Sequence, residues 1–174
     1  TEVVNCKFAK HQKAMSQGDL QRALAVASGA MADEKDMLEG IVKFMDLEVC
    51  DIMTPRVDVV SISYSAKYPE VLKTIVDSGY SRMPVFGDTP DDVKGIIYVK
   101  DILRELGKGD DIDWHLDIRK SFFVPENKKV NDLLTEFQST KTHMAIIVDE
   151  YGCMQGIVTL EDIIEEIVGD ISDE

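Results

Sequence analysis

The chain has 174 residues, enough for one domain or for two half-domains that share a core, and 44% of them are hydrophobic. A formal net charge of −14 excludes a nucleic-acid interface built on clustered Lys and Arg and argues against docking on anionic lipid. Three widely spaced cysteines and three scattered histidines favour neither a disulfide framework nor a metal centre, and no apolar run is long enough to span a bilayer.

Residues 1–50 are predicted to be helical. Apolar residues recur at helical spacing over residues 37–45. Thr54-Pro55 ends this part of the chain, because the residue before a proline is pushed out of the α region.

Residues 51–110 predict a unit of the order β-α-β-β-α. Its elements are expected at residues 57–62, 69–79, 83–86, 93–99 and 102–107. Pro69 suits the first turn of the helix and Gly79 its end. A turn rich in Gly, Asp and Pro separates the last two strands.

Residues 111–169 repeat this order, and residues 170–174 form an acidic tail. The second set of elements is expected at residues 122–124, 130–137, 144–148, 153–159 and 163–168. The fold class is therefore α/β (α+β), with two pseudo-symmetric β-α-β-β-α repeats packed through their sheets and a helical N-terminal segment.

The duplication is visible in two similar sequence motifs. GIIYVKDI at residues 95–102 returns as GIVTLEDI at residues 156–163, an offset of about 61 residues that marks duplicated structural units. Two such units predict a cleft between them, and this cleft is where we expect the function to lie.

The strongest chemical candidate is the end of the last strand in the second unit. Thr159 lies at the start of a helix, and Asp162 is one turn further on the same face. A carboxylate there can accept hydrogen bonds from two ribose hydroxyls, while the threonine hydroxyl and free helix N–H groups can meet a phosphate. Taken alone, the same spacing is also that of a capping box, with Asp in place of Glu.

Four longer motifs carry a resemblance to a known family. They are DIMTPR at residues 51–56, GYSRMPVF at 79–86, VDEYG at 148–152 and TLEDIIEEIVG at 159–169. The two units resemble a pair of CBS (cystathionine-β-synthase) domains, known as a Bateman module. The motifs are similar to those of the hemolysin-related CorC family, whose relatives are the cyclin M-type magnesium transporters.

The resemblance implies the cytosolic portion of a protein of the bacterial inner (plasma) membrane. Residues 1–50 would then be a helical connector from a membrane domain that precedes this chain. The implied ligand is an adenine nucleotide, ATP with Mg²⁺ in the first place and AMP as the alternative. Its binding would control efflux of Mg²⁺ or Co²⁺, and the module would form a homodimer through the repeats.

Carried over by position, the resemblance assigns one nucleotide-binding set. Asp162 would bind the ribose, Thr159 the phosphate, and Tyr80 would line the adenine pocket. The other members are Thr54, Ser81, Pro84 and Arg82, of which Arg82 would neutralise phosphate. Alternatives stand beside three of these roles: Thr54 could cap a turn, Arg82 could form a surface ion pair, and Tyr80 could belong to the core.

The two repeats are not equal. Asp101 matches Asp162, but Tyr98 stands where the second repeat has Thr159. We therefore expect one functional site on Asp162 and a weaker, degenerate site at Tyr98 and Asp101.

The sequence does not indicate an enzyme. It has no Gly-rich phosphate loop with Lys, no Ser or Cys nucleophile placed beside a His, and no metal-ligand spacing. The alternative to a nucleotide-binding regulator is a ligand-free structural module that dimerises and spaces its flanking domains.

Overall fold

The computed structural model describes residues 32–172, so the predicted helical stretch before residue 32 lies outside the described residues. Within these residues the first elements are two helices, α1 at Ala32–Asp46 and α2 at Val49–Ile52. Met53 then takes an extended backbone, with ψ of 148°, and leads into the short strand β1, Thr54–Pro55. The helix therefore ends before the Thr-Pro dipeptide, as predicted.

The first repeat contains a three-stranded sheet. Its elements are β2 Ile62–Ser63, α3 Tyr68–Ser78, β3 Arg82–Phe86, β4 Val93–Tyr98 and α4 Val99–Leu103. Strand β2 runs parallel to β3, and β3 is antiparallel to β4. This order agrees with the predicted β-α-β-β-α unit.

The prediction of a strand over residues 57–62 was wrong. Arg56–Asp58 form a 3₁₀ turn, and only Ile62 and Ser63 join the sheet. Val57 is 88% exposed, because this segment crosses from one sheet to the other and has no strand beside it. A β-rich composition forms a strand only where a partner completes the ladder.

The second repeat follows a 3₁₀ turn at Trp114–Asp117 and has the same order. Its elements are β5 Phe123–Pro125, α5 Val130–Thr140, β6 Met144–Val148, β7 Met154–Thr159 and α6 Leu160–Ser172. Strand β5 is parallel to β6, and β6 is antiparallel to β7. Helix α6 continues to Ser172, into the segment that the sequence predicted as an acidic tail.

The segment that leads into each repeat pairs with the last strand of the other repeat. Strand β1 pairs antiparallel with β7, with Thr54 opposite Ile157. In the same way Arg119, which leads into the second repeat, exchanges two backbone hydrogen bonds of 2.9 Å with Ile96 in β4. Thr54 and Arg119 thus occupy matching positions, since Ile96 and Ile157 are equivalent in the duplication.

Glycine makes this close approach of the backbone possible on both sheets. A Cβ built on Gly156 would collide with the carbonyl oxygen of Thr54, and one built on Gly95 would collide with that of Arg119. The two glycines of the duplicated motif therefore hold the crossing segments against the sheets.

Three clusters of buried side chains form the core. One lies in each repeat, and the cluster of the second repeat includes Val49 of α2, which is fully buried. The third joins the two sheets through Phe86, Ile146 and Met154. Across residues 32–172, no helix is both long and apolar enough to cross a bilayer.

Candidate functional site

A cavity of about 300 Å³ opens where the two repeats meet beside β1. Its size is at the lower end of the range for small-molecule sites. It is lined by Thr54, Asp58, Val59, Val60, Gly79, Tyr80, Ser81, Arg82, Met144, Ile157, Thr159, Glu161 and Asp162. Of the residues predicted for the main site, only Pro84 is outside this lining.

Thr159 and Asp162 form a reciprocal pair at the start of α6. The backbone N–H of Thr159 donates to Oδ2 of Asp162 at 2.8 Å, and the N–H of Asp162 donates to Oγ1 of Thr159 at 3.2 Å. This is the capping box, and both residues also line the cavity. The two interpretations of the motif are thus compatible, because the cap holds the carboxylate and the hydroxyl at the cavity wall.

Arg82 is the main cationic group of the cavity. It stands at the start of β3, and its side chain is only 18% exposed. Its Nη1 donates to Oε1 of Glu161 at 3.2 Å, and its Nη2 lies 2.9 Å from Nδ1 of His143. Its Nε is buried and has no hydrogen-bond partner among the described residues. An anion entering the cavity could therefore take over a guanidinium that is not fully satisfied.

Tyr80 and Ser81 belong to the loop between α3 and β3. Helix α3 ends at Gly79, whose left-handed φ of 69° turns the chain toward the cavity. Tyr80 is 56% exposed, so it does not belong to the core, which was one alternative. Its ring is accessible to a planar ligand at the cavity mouth.

Backbone pairing fixes the position of Thr54. Strand β1 places it beside Ile157, and the turn that follows is fixed by hydrogen bonds between the repeats, which we call the clasp. In this clasp Nη1 of Arg56 donates to Oδ1 of Asp91 at 3.0 Å, and the N–H of Met154 donates to the same oxygen at 3.0 Å. The position of Thr54 therefore depends on contacts with both repeats.

Pro84 lies in the middle of β3, paired with Ile96, and is buried. Its neighbour in the chain, Met83, belongs to the core of the first repeat. In this structure Pro84 supports the strand that carries Arg82 and does not face the cavity.

The second predicted site, at Tyr98 and Asp101, is engaged by cations of the chain itself. Asp101 is 3% exposed, and its Oδ2 accepts from Nε and Nη2 of Arg119 at 2.9 and 2.6 Å. Arg104 donates to Oδ1 of the same carboxylate. Burial would raise the pKa of Asp101, but the hydrogen bonds from Arg119 and then Arg104 outweigh it and lower that pKa below its ordinary value.

Sequence reasoning missed part of the cavity wall. Asp58 and Val60 were assigned to a strand, and their place at the cavity follows from the crossing between sheets. Arg119 was missed as well, because the linker shifts it out of the regular offset and only the strand pairing reveals its equivalence to Thr54. Within residues 32–172, no group of three or more His, Cys, Asp or Glu could hold a metal ion.

Comparison with known proteins agrees with this architecture. The family described as "CBS domain" matches residues 49–108 and 115–169. A magnesium and cobalt efflux protein CorC from Pasteurella multocida (strain Pm70) is 43% identical over 141 residues, which are 80% of this chain and 47% of that protein. The chain spans about half the length of the curated relatives it matches.

Two solved structures are similar in fold and hold nucleotides. The CBS domain of a bacterial CNNM/CorC family Mg²⁺ transporter in complex with ATP is 40% identical, with a TM-score of 0.73, and the match covers 78% of this chain and 97% of that chain. A CBS-domain pair from Klebsiella pneumoniae with bound AMP is 32% identical, with a TM-score of 0.64, over 71% of this chain and 99% of that chain.

Two β-α-β-β-α repeats that exchange their leading segments around a shared cavity define a duplicated pair of small domains. The chain belongs to the CBS-domain family, as a tandem pair of the CorC type.

Proposed function

We propose that this chain is a regulatory module that binds an adenine nucleotide in the cavity beside Thr159 and Asp162. The observation that carries the proposal is the convergence of Thr54, Arg82 and Asp162 from three separate parts of the chain on one cavity. The related CorC-type domain holds ATP, and the Klebsiella pair holds AMP.

The residues of the cavity fit the parts of a nucleotide. Asp162 would accept hydrogen bonds from ribose hydroxyls, and Tyr80 would stack on the base, since exposed aromatic rings stack well on nucleobases. Arg82 and the hydroxyls of Thr159 and Thr54 would contact the phosphates. Ser81 would contribute a hydroxyl from the same loop, and Pro84 would act indirectly by supporting β3.

Binding would exchange one ion pair for another. Arg82 is paired with Glu161, whose side chain is 64% exposed, so the carboxylate can turn into water when phosphate arrives. The chain carries a net charge of −14, and Mg²⁺ bound to the phosphates of ATP would reduce the repulsion. ATP with Mg²⁺ is therefore the proposed form of the ligand, and AMP, with fewer charges, is the alternative.

The regulated activity that we propose is efflux of Mg²⁺ or Co²⁺, the activity for which the CorC relatives are named, and we assign it to a membrane domain of the same longer protein. Support comes from the path of the chain: α1 and α2 lead directly into Thr54 of the cavity and pack against the second repeat. A nucleotide that moves β1 would move these helices, provided it binds the two arrangements with different affinity.

The test is isothermal titration of ATP, with and without Mg²⁺, and of AMP into this chain and two variants. Asp162→Ala is expected to abolish saturable binding. Asp132→Ala removes the same charge from an exposed position of α5, a different helix that does not line the cavity, and is expected to leave the affinity within about threefold, since distant surface charges are screened. Equal binding by Asp162→Ala and the unmodified chain would refute the assignment.

A ligand-free dimerisation module is the second candidate. The capping box satisfies Thr159 and Asp162 without any ligand, and apolar side chains of α3 and α6 are exposed, with Val76 at 77% and Val168 at 54%. We propose a homodimer through the repeats in either case. Sedimentation of the unmodified chain measures it, and a dimer that binds no ATP, ADP or AMP would favour this second candidate.

A further inference from the structure

We infer that the side chain of Arg119 closes the second of the two pseudo-equivalent sites, so that the chain offers one nucleotide site and not two. The inference rests on the proposed function, because it takes the cavity at Asp162 as the reference site. It adds a residue that decides how many ligands the module accepts.

The equivalence of the two places follows from strand pairing. Thr54 lies opposite Ile157 on β7, and Arg119 lies opposite Ile96 on β4. In both cases a glycine that precedes the isoleucine allows the crossing backbone to approach, as shown by the collisions that a Cβ would make. Arg119 therefore has the same position at the second site as Thr54 has at the first site.

The side chain of Arg119 occupies the groups that a nucleotide would need. It binds Oδ2 of Asp101, the counterpart of Asp162, through both Nε and Nη2. Its guanidinium carbon lies 4.2 Å from the centre of the Tyr98 ring, and Tyr98 is the counterpart of Thr159. Arg119 thus pairs with the carboxylate and stacks on the ring at the two positions that correspond to the proposed ribose and phosphate contacts of the first site.

Thr54 leaves its site open because its side chain is short and uncharged. At the first site the carboxylate of Asp162 accepts a backbone N–H from its own capping box, and the neighbouring space is part of the cavity. At the second site Asp101 is almost fully buried under arginine. The same carboxylate is accessible in one repeat and covered in the other, and the residue at the crossing position makes the difference.

The first measurement is the stoichiometry of ATP titration. The unmodified chain is expected to bind one ATP per chain, and two would overturn the inference. In the Asp162→Ala background, adding Arg119→Thr and Tyr98→Thr is expected to raise binding from none to one ATP per chain. Arg104→Ala with Tyr98→Thr in that background is the matched control, since it also removes a cation from Asp101 and the tyrosine ring but leaves Arg119 in place, and it is expected to gain no site.

A second measurement is independent of nucleotide binding. The carboxyl of Asp101 is titrated by carbon NMR in the unmodified chain, in Arg119→Thr and in Arg119→Gln, which keeps a hydrogen-bonding side chain if the threonine variant fails to fold. The pKa of Asp101 is expected to rise in both variants, and more than in Arg104→Ala, because Arg119 supplies two hydrogen bonds. An unchanged pKa would overturn the inference.

The two measurements separate this inference from the proposed function. If the unmodified chain binds no ATP while Arg119→Thr raises the pKa of Asp101, the proposed function fails and takes the single-site inference with it, and only the ion pair of Arg119 with Asp101 is confirmed. If ATP binds at one site but the triple variant gains no ATP, the proposed function stands and the closure by Arg119 fails.

Discussion

At the scale of single residues, the partner of a side chain decides its role more than its type does. Asp101 and Asp162 are equivalent in the duplication, but two arginines hold the first and a helix cap holds the second. Arg82 and His143 are likewise equivalent, and here they contact each other across the interface between the repeats. Pseudo-symmetric positions can thus have different chemistry.

His115 provides a pH prediction at this scale. Its Nε2 lies 2.6 Å from the carbonyl oxygen of Tyr64, and its Nδ1 lies 2.7 Å from Oδ1 of Asp113. Both partners are acceptors, so the ring satisfies both only when it is protonated. The Tyr64 carbonyl raises the pKa of His115, and Asp113 adds to this, against burial, which lowers it.

Because the folded pKa of His115 is raised, its contribution to stability is complete below about pH 6.5 and is lost as the pH rises through the folded value. We expect His115→Gln to reduce the free energy of unfolding at low pH by about 1 kcal/mol per lost hydrogen bond and to have a smaller effect at high pH. Urea unfolding from about pH 5.5 to pH 8.5 measures this. An effect independent of pH would show that the neutral ring makes the same contacts.

At the scale of elements, the crossing strand β1 links the fold to the site. It contains two residues, and it is held by the pairing with β7 and by the clasp of Arg56 and Asp91. So short a strand has little stability of its own, and its place is set by tertiary contacts. The cavity therefore depends on an element that belongs to one repeat in sequence and to the other in space.

Gly156→Ala tests this dependence. Gly156 has no left-handed backbone, so alanine fits its conformation, but the new Cβ meets the Thr54 carbonyl. We expect a loss of about 1–3 kcal/mol in the free energy of unfolding, together with weaker ATP binding, as β1 is pushed away. Gly169→Ala is the matched control: it lies in α6 with no contact near its Cβ position and should stabilise by about 0.5–1 kcal/mol. Unchanged ATP affinity in Gly156→Ala would show that β1 is dispensable for the site.

At the scale of the whole molecule, the two repeats are not independent domains. The core of the second repeat includes Val49 from before the first repeat, with Phe44 and Met53 packed against it. A third cluster joins Phe86 of the first sheet to Ile146 and Met154 of the second. Because the two repeats share core and strand pairing, we expect the pair to fold as a single unit.

We therefore predict that residues 111–174 do not fold when produced alone, because their core then lacks Val49 and its neighbours. The amide spectrum should show poor dispersion, and addition of the rest of the chain, residues 1–110, should restore it. The control is the intact chain nicked by protease near Gly107 and Gly109, in the exposed linker, which should stay folded with both pieces together. A well-dispersed spectrum from the isolated repeat would contradict the single folding unit.

The sequence by itself determined the duplication and the order of elements, because both follow from a fixed offset and from hydrophobic periodicity. It also predicted six of the thirteen cavity residues, Thr159 and Asp162 from their spacing and the other four from the family resemblance. The segment that pairs with the last strand of each repeat was decided only by tertiary structure, since Thr54 in β1 and the isolated bridge at Arg119 both pair across repeats. The true path of residues 57–62 and the closure of Asp101 followed from that exchange. Contacts between segments far apart in sequence leave no local pattern, and for this reason Arg119 became visible only in the folded chain.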